Sequence, residues 1–198
     1  MGYIMDIIYP AGATPLDPDE TEGLLLSHIT TREELNQWEQ LNIGDAEEWA
    51  FSRNHKDLLS QTFICRLHKK MFSKVWAWAG QFRKSMKNIG IQPWQISEEV
   101  NLLCRDISAW IKYATYPPDE ICIRFHHKLV WIHPFVNGNG RHSRLMTDLL
   151  SKQIFGNDPF TWGRKDLAGP GKSRSAYITA LKAADKNNFS LLLKFVRS

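Results

Sequence analysis

Apolar residues recur along most of the chain at spacings of three and four, the pattern of helices that bury one stripe and wet the other. Thr31 followed by Glu34 is a capping-box pattern. It opens a predicted helix with Leu35, Trp38, Leu41 and Ile43 on about one face, running towards Phe51 with Gly44 as a point of interruption. Leu58, Leu59, Phe63, Leu67, Met71 and Phe72 predict a long helix over about 56–77, closed by Ala79-Gly80. Ser97 with Glu98 and Glu99 caps another, carrying Val100, Leu103, Ile107, Trp110 and Ile111 inward and ended by Tyr116-Pro-Pro. Asp119-Glu120 starts a stretch apolar at 121, 125, 129 and 132 that Pro134 stops. A helix over 141–155 ended by Gly156 and one or two more over 175–196 complete the set. Residues 80–94 break the pattern: Phe82, Ile89 and Ile91 beside turn-forming Lys87-Asn88 and Gly90 predict a short hairpin or extended flap. The expected fold class is all-α, a helical bundle with one small β-flap, over residues 30–198. Residues 1–29 form an extended lead-in with a candidate regulatory role, since PAGATPLDPDE at 10–20 is too proline-rich for an element interior.

Composition narrows the class. A chain of 198 residues, 43% hydrophobic with eight Trp and ten Phe, is suited to a packed core. Cys65, Cys104 and Cys122 lack CxxC spacing and read as reduced core thiols, not as a disulfide framework or zinc site. The net charge of +4 permits acidic or phosphate-bearing partners. The Lys and Arg are scattered, densest at 83–87 and 164–174, so a nucleic-acid partner is not expected. No window approaches a membrane span, and MGYIMDIIYP resembles neither a secretion signal nor a myristoylation site, so the expected location is the cytoplasm. His126, His127 and His133 lack a carboxylate at ligand spacing, which argues against a histidine-built metal site. Gly169-Pro-Gly-Lys-Ser is only the tail of a phosphate-loop motif with no strand before it.

The chemistry is densest in HPFVNGNGRHSR, residues 133–144. Asn137-Gly138-Asn139-Gly140 places residues that tolerate positive φ in succession, so main-chain N–H groups can turn into one concavity, a nest for anions. A helix beginning near Arg141 brings its unpaired N–H groups and the positive end of its dipole to the same place. Arg141 and Arg144 share a helical face and each can fork onto phosphate oxygens. His133 at the rim is the residue type suited to take a proton from an attacking hydroxyl. Phe135 is placed to pin the loop to the core, and Asn137 offers an amide oxygen to a divalent cation. Singly, each feature has an ordinary structural account; together they point to a polyphosphate site for phosphoryl or nucleotidyl transfer.

The same residues resemble the HPFx(D/E)GNGRxxR signature of the Fic-domain (Fic/Doc) family. LHKKMFSKVWAWAGQFR at 67–83 and RFHHKLVWIHPF at 124–135 extend the resemblance over about residues 30–196. The lead-in TPLDPDETEGL looks like the subgroup called mobile mystery protein B. The resemblance implies a helical bundle with a small β-hairpin flap beside the active-site loop. It also implies transfer of AMP from ATP to a Ser, Thr or Tyr hydroxyl of a target protein. In that scheme His133 is the base, with Asn139 and Arg141 counted beside it as catalytic. Gly138, Asn139, Gly140 and Arg141 cradle the α- and β-phosphates, Arg144 engages the γ-phosphate, and Phe135 anchors the loop. Phe82, Arg83, Ile89, Gly90 and Ile91 hold the target segment as an added strand. Tyr177 is a candidate for stacking on adenine and Lys182 for reaching a phosphate, each equally well explained by helix packing.

Asn137 departs from the family pattern, which has an acid there to bind Mg²⁺. A neutral amide oxygen is a poorer ligand for a hard cation. Slow AMP transfer, a different nucleotide donor and no catalysis all stay open, with weak transfer as the expectation. The rival reading is a weakly active or non-catalytic nucleotide-binding module acting with an antitoxin-like partner. Many Fic proteins are inhibited by a glutamate in an (S/T)xxxE(G/N) motif that pairs with the second arginine. No glutamate follows Glu120 in the sequence, so the candidate lies upstream: Glu22 facing Arg144, although Pro18 stands where Ser or Thr is expected, while Thr30 and Glu34 have the spacing but are followed by Leu35.

Overall fold

The capping box at Thr31 forms as expected: its side chain accepts from the Glu34 amide at 3.2 Å while the Glu34 carboxylate takes the Thr31 amide at 3.0 Å. The structure, a computed structural model, describes residues 17–164, Leu167 and 171–198. The first half of the lead-in and the Gly169-Pro170 pair lie outside the described residues.

The helices are α1 (Pro18–Thr21), α2 (Arg32–Phe51), α3 (Gln61–Phe72), α4 (Ile96–Tyr113), α5 (Pro118–Ile132), α6 (Asn139–Phe155), α7 (Lys172–Ala184) and α8 (Ser190–Val196). The α5–α6 pair lies at the centre. The α2–α3 pair packs against α6, α4 against α5, and the α7–α8 pair closes the far side.

Three expectations are corrected. The helix foreseen over 56–77 spans only Gln61–Phe72. Ser60 caps its start, accepting from the Phe63 amide, and Asn42 of α2 finishes its end by donating to the Lys70 carbonyl and accepting from the Lys74 amide. The buried stripe of α2 is Leu35, Glu39, Asn42, Ile43, Ala46 and Ala50, while Trp38 and Leu41 face solvent. A stripe carrying two polar residues is invisible to a count of apolar positions. The third correction concerns residues 81–92, which form no hairpin. Phe82 makes an isolated antiparallel bridge to Phe135, so the segment pairs with the loop after α5 instead of with itself.

The described part of the lead-in is a strap across this segment. Leu24 bridges Trp76, Leu25 donates to the Val75 carbonyl at 2.9 Å, and Ala77 donates to the Gly23 carbonyl at 2.8 Å. Asp17 and Glu20 pair with the buried Lys87 ammonium, and Glu20 also accepts from the Ser85 hydroxyl at 2.8 Å.

Candidate active site

Helix α5 ends because Pro134 cannot extend it, and His133 takes the left-handed C-cap conformation at φ 54°, ψ 60°. For a residue with a Cβ this costs roughly 1–2 kcal/mol, and such strain persists only where the surroundings over-determine it. Here the surroundings are Arg83. Its guanidinium donates to the carbonyls of His133 (2.7 Å), Ser85 (2.9 Å), Ile91 (2.5 Å) and Ile132 (3.5 Å), tying the end of α5 to both sides of segment 83–91. Expected to grip a target, Arg83 is instead a buried clamp. Gly90 at φ 99° lies flat on His133: a Cβ there would come within 2.6 Å of His133 Cβ.

His133 is 5% exposed. Burial, joined by the nearby Arg83 charge and opposed by a backbone hydrogen bond to Val130, pushes its pKa down to about 4. The ring is therefore neutral near pH 7, the form able to accept a proton.

The loop behind it is stitched by two side chains. Asn139 accepts from the Phe135 amide at 2.9 Å and donates to the Phe135 carbonyl at 2.8 Å. Its side chain is thus spent on the loop, and what it offers an anion is its backbone N–H. His68 of α3 accepts from the Gly80 amide through Nδ1 at 2.9 Å, which leaves Nε2 as the protonated nitrogen, 3.0 Å from the Asn137 carbonyl. The His68 ring stacks on Phe135 at 3.7 Å, and Phe135 is fully buried. Gly138, at φ 76°, is the N-cap of α6, and a Cβ there would strike the Phe72 ring at 2.5 Å.

Helix α6 begins at Asn139. The first main-chain bond back within it runs from the His142 amide to the Gly138 carbonyl, so the amides of Asn139, Gly140 and Arg141 have no acceptor inside the helix. With the helix dipole, such amides can donate to an anion a few residues from His133. Arg141 lies beside it, its guanidinium 4.9 Å over the Phe72 ring, with one nitrogen 2.6 Å from Glu39. Arg144 is one turn further on, with its guanidinium charge acting on the buried Tyr177 hydroxyl.

Several expected roles change. Tyr177 is buried, and its hydroxyl also lies 2.8 Å from His126 Nε2, so this ring packs under Arg144 instead of standing open to a base. Glu22 is exposed after α1 and makes no ion pair among the described residues; the group on Arg144 is Tyr177. Asn137 Oδ1 accepts from the Gly138 amide at 2.6 Å, and among the described residues no cluster of His, Cys, Asp or Glu could hold a metal. The residues present do not make a magnesium cage. In the flap, Phe82 and Ile91 are half-buried and Ile89 faces outward with Met86. His142, near the start of α6, is fully buried 3.0 Å from the Ile64 carbonyl. A groove of about 850 Å³ between α3 and α4 shares no residue with this site.

Sequence reasoning missed Glu39, His68 and Phe72 as site residues. His68 and Phe72 do fall on the buried stripe of α3, and a histidine inside an apolar stripe is the signal that was there to be used.

Residues 58–151 match the family model described as the Fic/DOC family. The protein adenylyltransferase Fic of Drosophila melanogaster is 28% identical over 137 residues, covering 67% of this chain and 26% of that protein. The chain thus spans about a quarter of the length of the curated relatives it matches. Among solved structures, the N-terminal Fic domain of a VirB-translocated Bep effector protein from Bartonella quintana has a TM-score of 0.67 at 16% identity, covering 90% of this chain and 91% of that one. BepC from Bartonella tribocorum, solved with bound AMPPNP, has a TM-score of 0.66 at 16% identity, with 91% and 97% covered. A Fic-1 fragment from C. elegans has 0.62 at 24%, with 89% and 51% covered.

Proposed function

We propose, from the match of residues 58–151 to the Fic/DOC family, that the chain is a protein adenylyltransferase, moving AMP from ATP to a Ser, Thr or Tyr hydroxyl of a target protein. The observation that carries this reading is the bend between α5 and α6. It puts a neutral imidazole, the open amides of Asn139, Gly140 and Arg141, and the Arg141 guanidinium on one short loop.

In the proposed step His133 takes the proton of the target hydroxyl. That oxygen attacks the α-phosphorus, the bond from phosphorus to the α,β-bridging oxygen breaks, and pyrophosphate leaves with the electron pair. The α6 amides and Arg141 stabilise charge on the phosphates, and Arg144 serves the far end of the chain. Positioning supplies most of the acceleration. Because Gly90 and Arg83 cover His133, segment 84–90 moves aside to admit the hydroxyl, and its exposed Met86 and Ile89 meet the target. The small hairpin of the resemblance would form there only with a target strand added. Magnesium, on this reading, arrives carried by the triphosphate, and the bound AMPPNP of BepC supports a donor of that shape. Residues 30–198 act as the catalytic unit with the lead-in as its strap. Cytoplasmic location, the mobile mystery protein B subgroup and an antitoxin-like regulator belong to the same reading. No helix among the described residues is long and apolar enough to cross a membrane.

Incubating lysate with the chain, Mg²⁺ and ATP labelled on its α-phosphate tests this. Incorporation into protein is expected to fall at least ~100-fold in His133→Ala, the scale of a lost general base. Equal incorporation by both proteins would remove the enzyme reading. Nucleotide binding without turnover would select the non-catalytic module instead, which Asn137 and the burial of His133 favour.

A further inference from the structure

Glu39 is the one acid among the buried polar side chains of the described residues, and it lies on α2, far in sequence from the loop it touches. One carboxylate oxygen takes the Trp76 indole N–H at 2.7 Å and the other takes an Arg141 nitrogen at 2.6 Å. A buried carboxylate is expensive to desolvate, and replacing a buried ion pair with apolar side chains of similar volume is often neutral or stabilising. Stability alone therefore does not account for it.

Its geometric effect on Arg141 does. The guanidinium is held by one nitrogen on Glu39 and by its face over Phe72, while its backbone sits in the first turn of α6. The Arg141 side chain is 24% exposed and Glu39 only 5%, so the outer edge of the fork stays accessible beside the open amides. A planar, five-donor group can serve a carboxylate and a phosphate at once; a lysine could not hold the same orientation. We propose that Glu39 is a positioning residue that pre-orients Arg141 for the phosphates beyond the α-phosphate, so that the site prefers a nucleoside triphosphate to a monophosphate. This rests on the adenylyltransferase reading.

Titration calorimetry with AMPPNP and, separately, with AMP tests it in the presence of Mg²⁺. The proteins are the wild type, Glu39→Gln, Glu39→Met, Arg141→Ala and the Glu39→Gln/Arg141→Ala pair. Glutamine keeps the volume and an acceptor for Trp76; methionine removes the buried charge and keeps the fold if glutamine does not. AMPPNP affinity is expected to drop about tenfold in the Glu39 variants, with AMP affinity changed less than about twofold and no further loss in the double variant than in Arg141→Ala. Unchanged or tighter AMPPNP binding would overturn the proposal, the tighter case making Glu39 a competitor for Arg141. An equal loss for both nucleotides would reduce Glu39 to a structural role and overturn it too. If the wild type bound no AMPPNP, the adenylyltransferase reading itself would fall; wild-type binding unaffected by the Glu39 variants sinks this inference alone.

Discussion

At the scale of single residues, the site is a set of side chains whose ordinary chemistry is bent by burial. His133 is a weakened base because it is covered, and Asn139 is a loop staple because both ends of its amide are used. Asn137 shows what one atom changes. Its Oδ1 already accepts the Gly138 amide, and an aspartate could keep that bond while adding charge beside the anion site. Asn137→Asp is expected to raise incorporation of label several-fold and to lower the Mg²⁺ concentration giving half-maximal incorporation; a magnesium titration of both proteins checks it. The motif residues His133, Phe135, Gly138, Arg141 and Arg144 were legible because the motif is local. Tyr177 kept two readings in the sequence because its partners, His126 and Arg144, sit on other helices.

At the scale of elements, the helices followed from periodicity and capping, while the flap did not. Segment 83–91 has the turn residues of a hairpin, but its carbonyls are gathered by one guanidinium and its edge pairs with the loop after α5. Arg83→Met leaves those buried carbonyls unpaired. It is expected to cost about 1–3 kcal/mol in urea unfolding and to speed tryptic cleavage after Lys84 and Lys87, which limited proteolysis would show. The buried stripe of α2 was misassigned for a related reason: Glu39 and Asn42 are inward because Arg141, Trp76 and the end of α3 need partners there.

Across the whole molecule, the fold shelters five histidines as neutral rings. Burial lowers the pKa of His126 and His142 to about 3, of His133 to about 4, of His68 well below its usual value, and of His55 below it. A folded value below the unfolded 6.5 means the unfolded chain binds more protons between the two, so their contribution is intact above about pH 6.5 and is lost as the pH falls towards 4. Asp148, raised by burial to about 6, acts in the opposite direction over part of that window. The five rings outweigh it, and the stability from urea unfolding is expected to fall by more than about 2 kcal/mol from pH 7.5 down to 4.5. The sequence by itself determined the helical class, the Thr31 cap, the Gly156 stop and the sharp bend after α5, because each rests on contacts within a few residues. Only the tertiary structure decided what covers His133, what holds Arg141 and where the flap pairs. Those depend on polar atoms brought together from distant elements, where the need to satisfy a buried donor or acceptor overrides any local pattern.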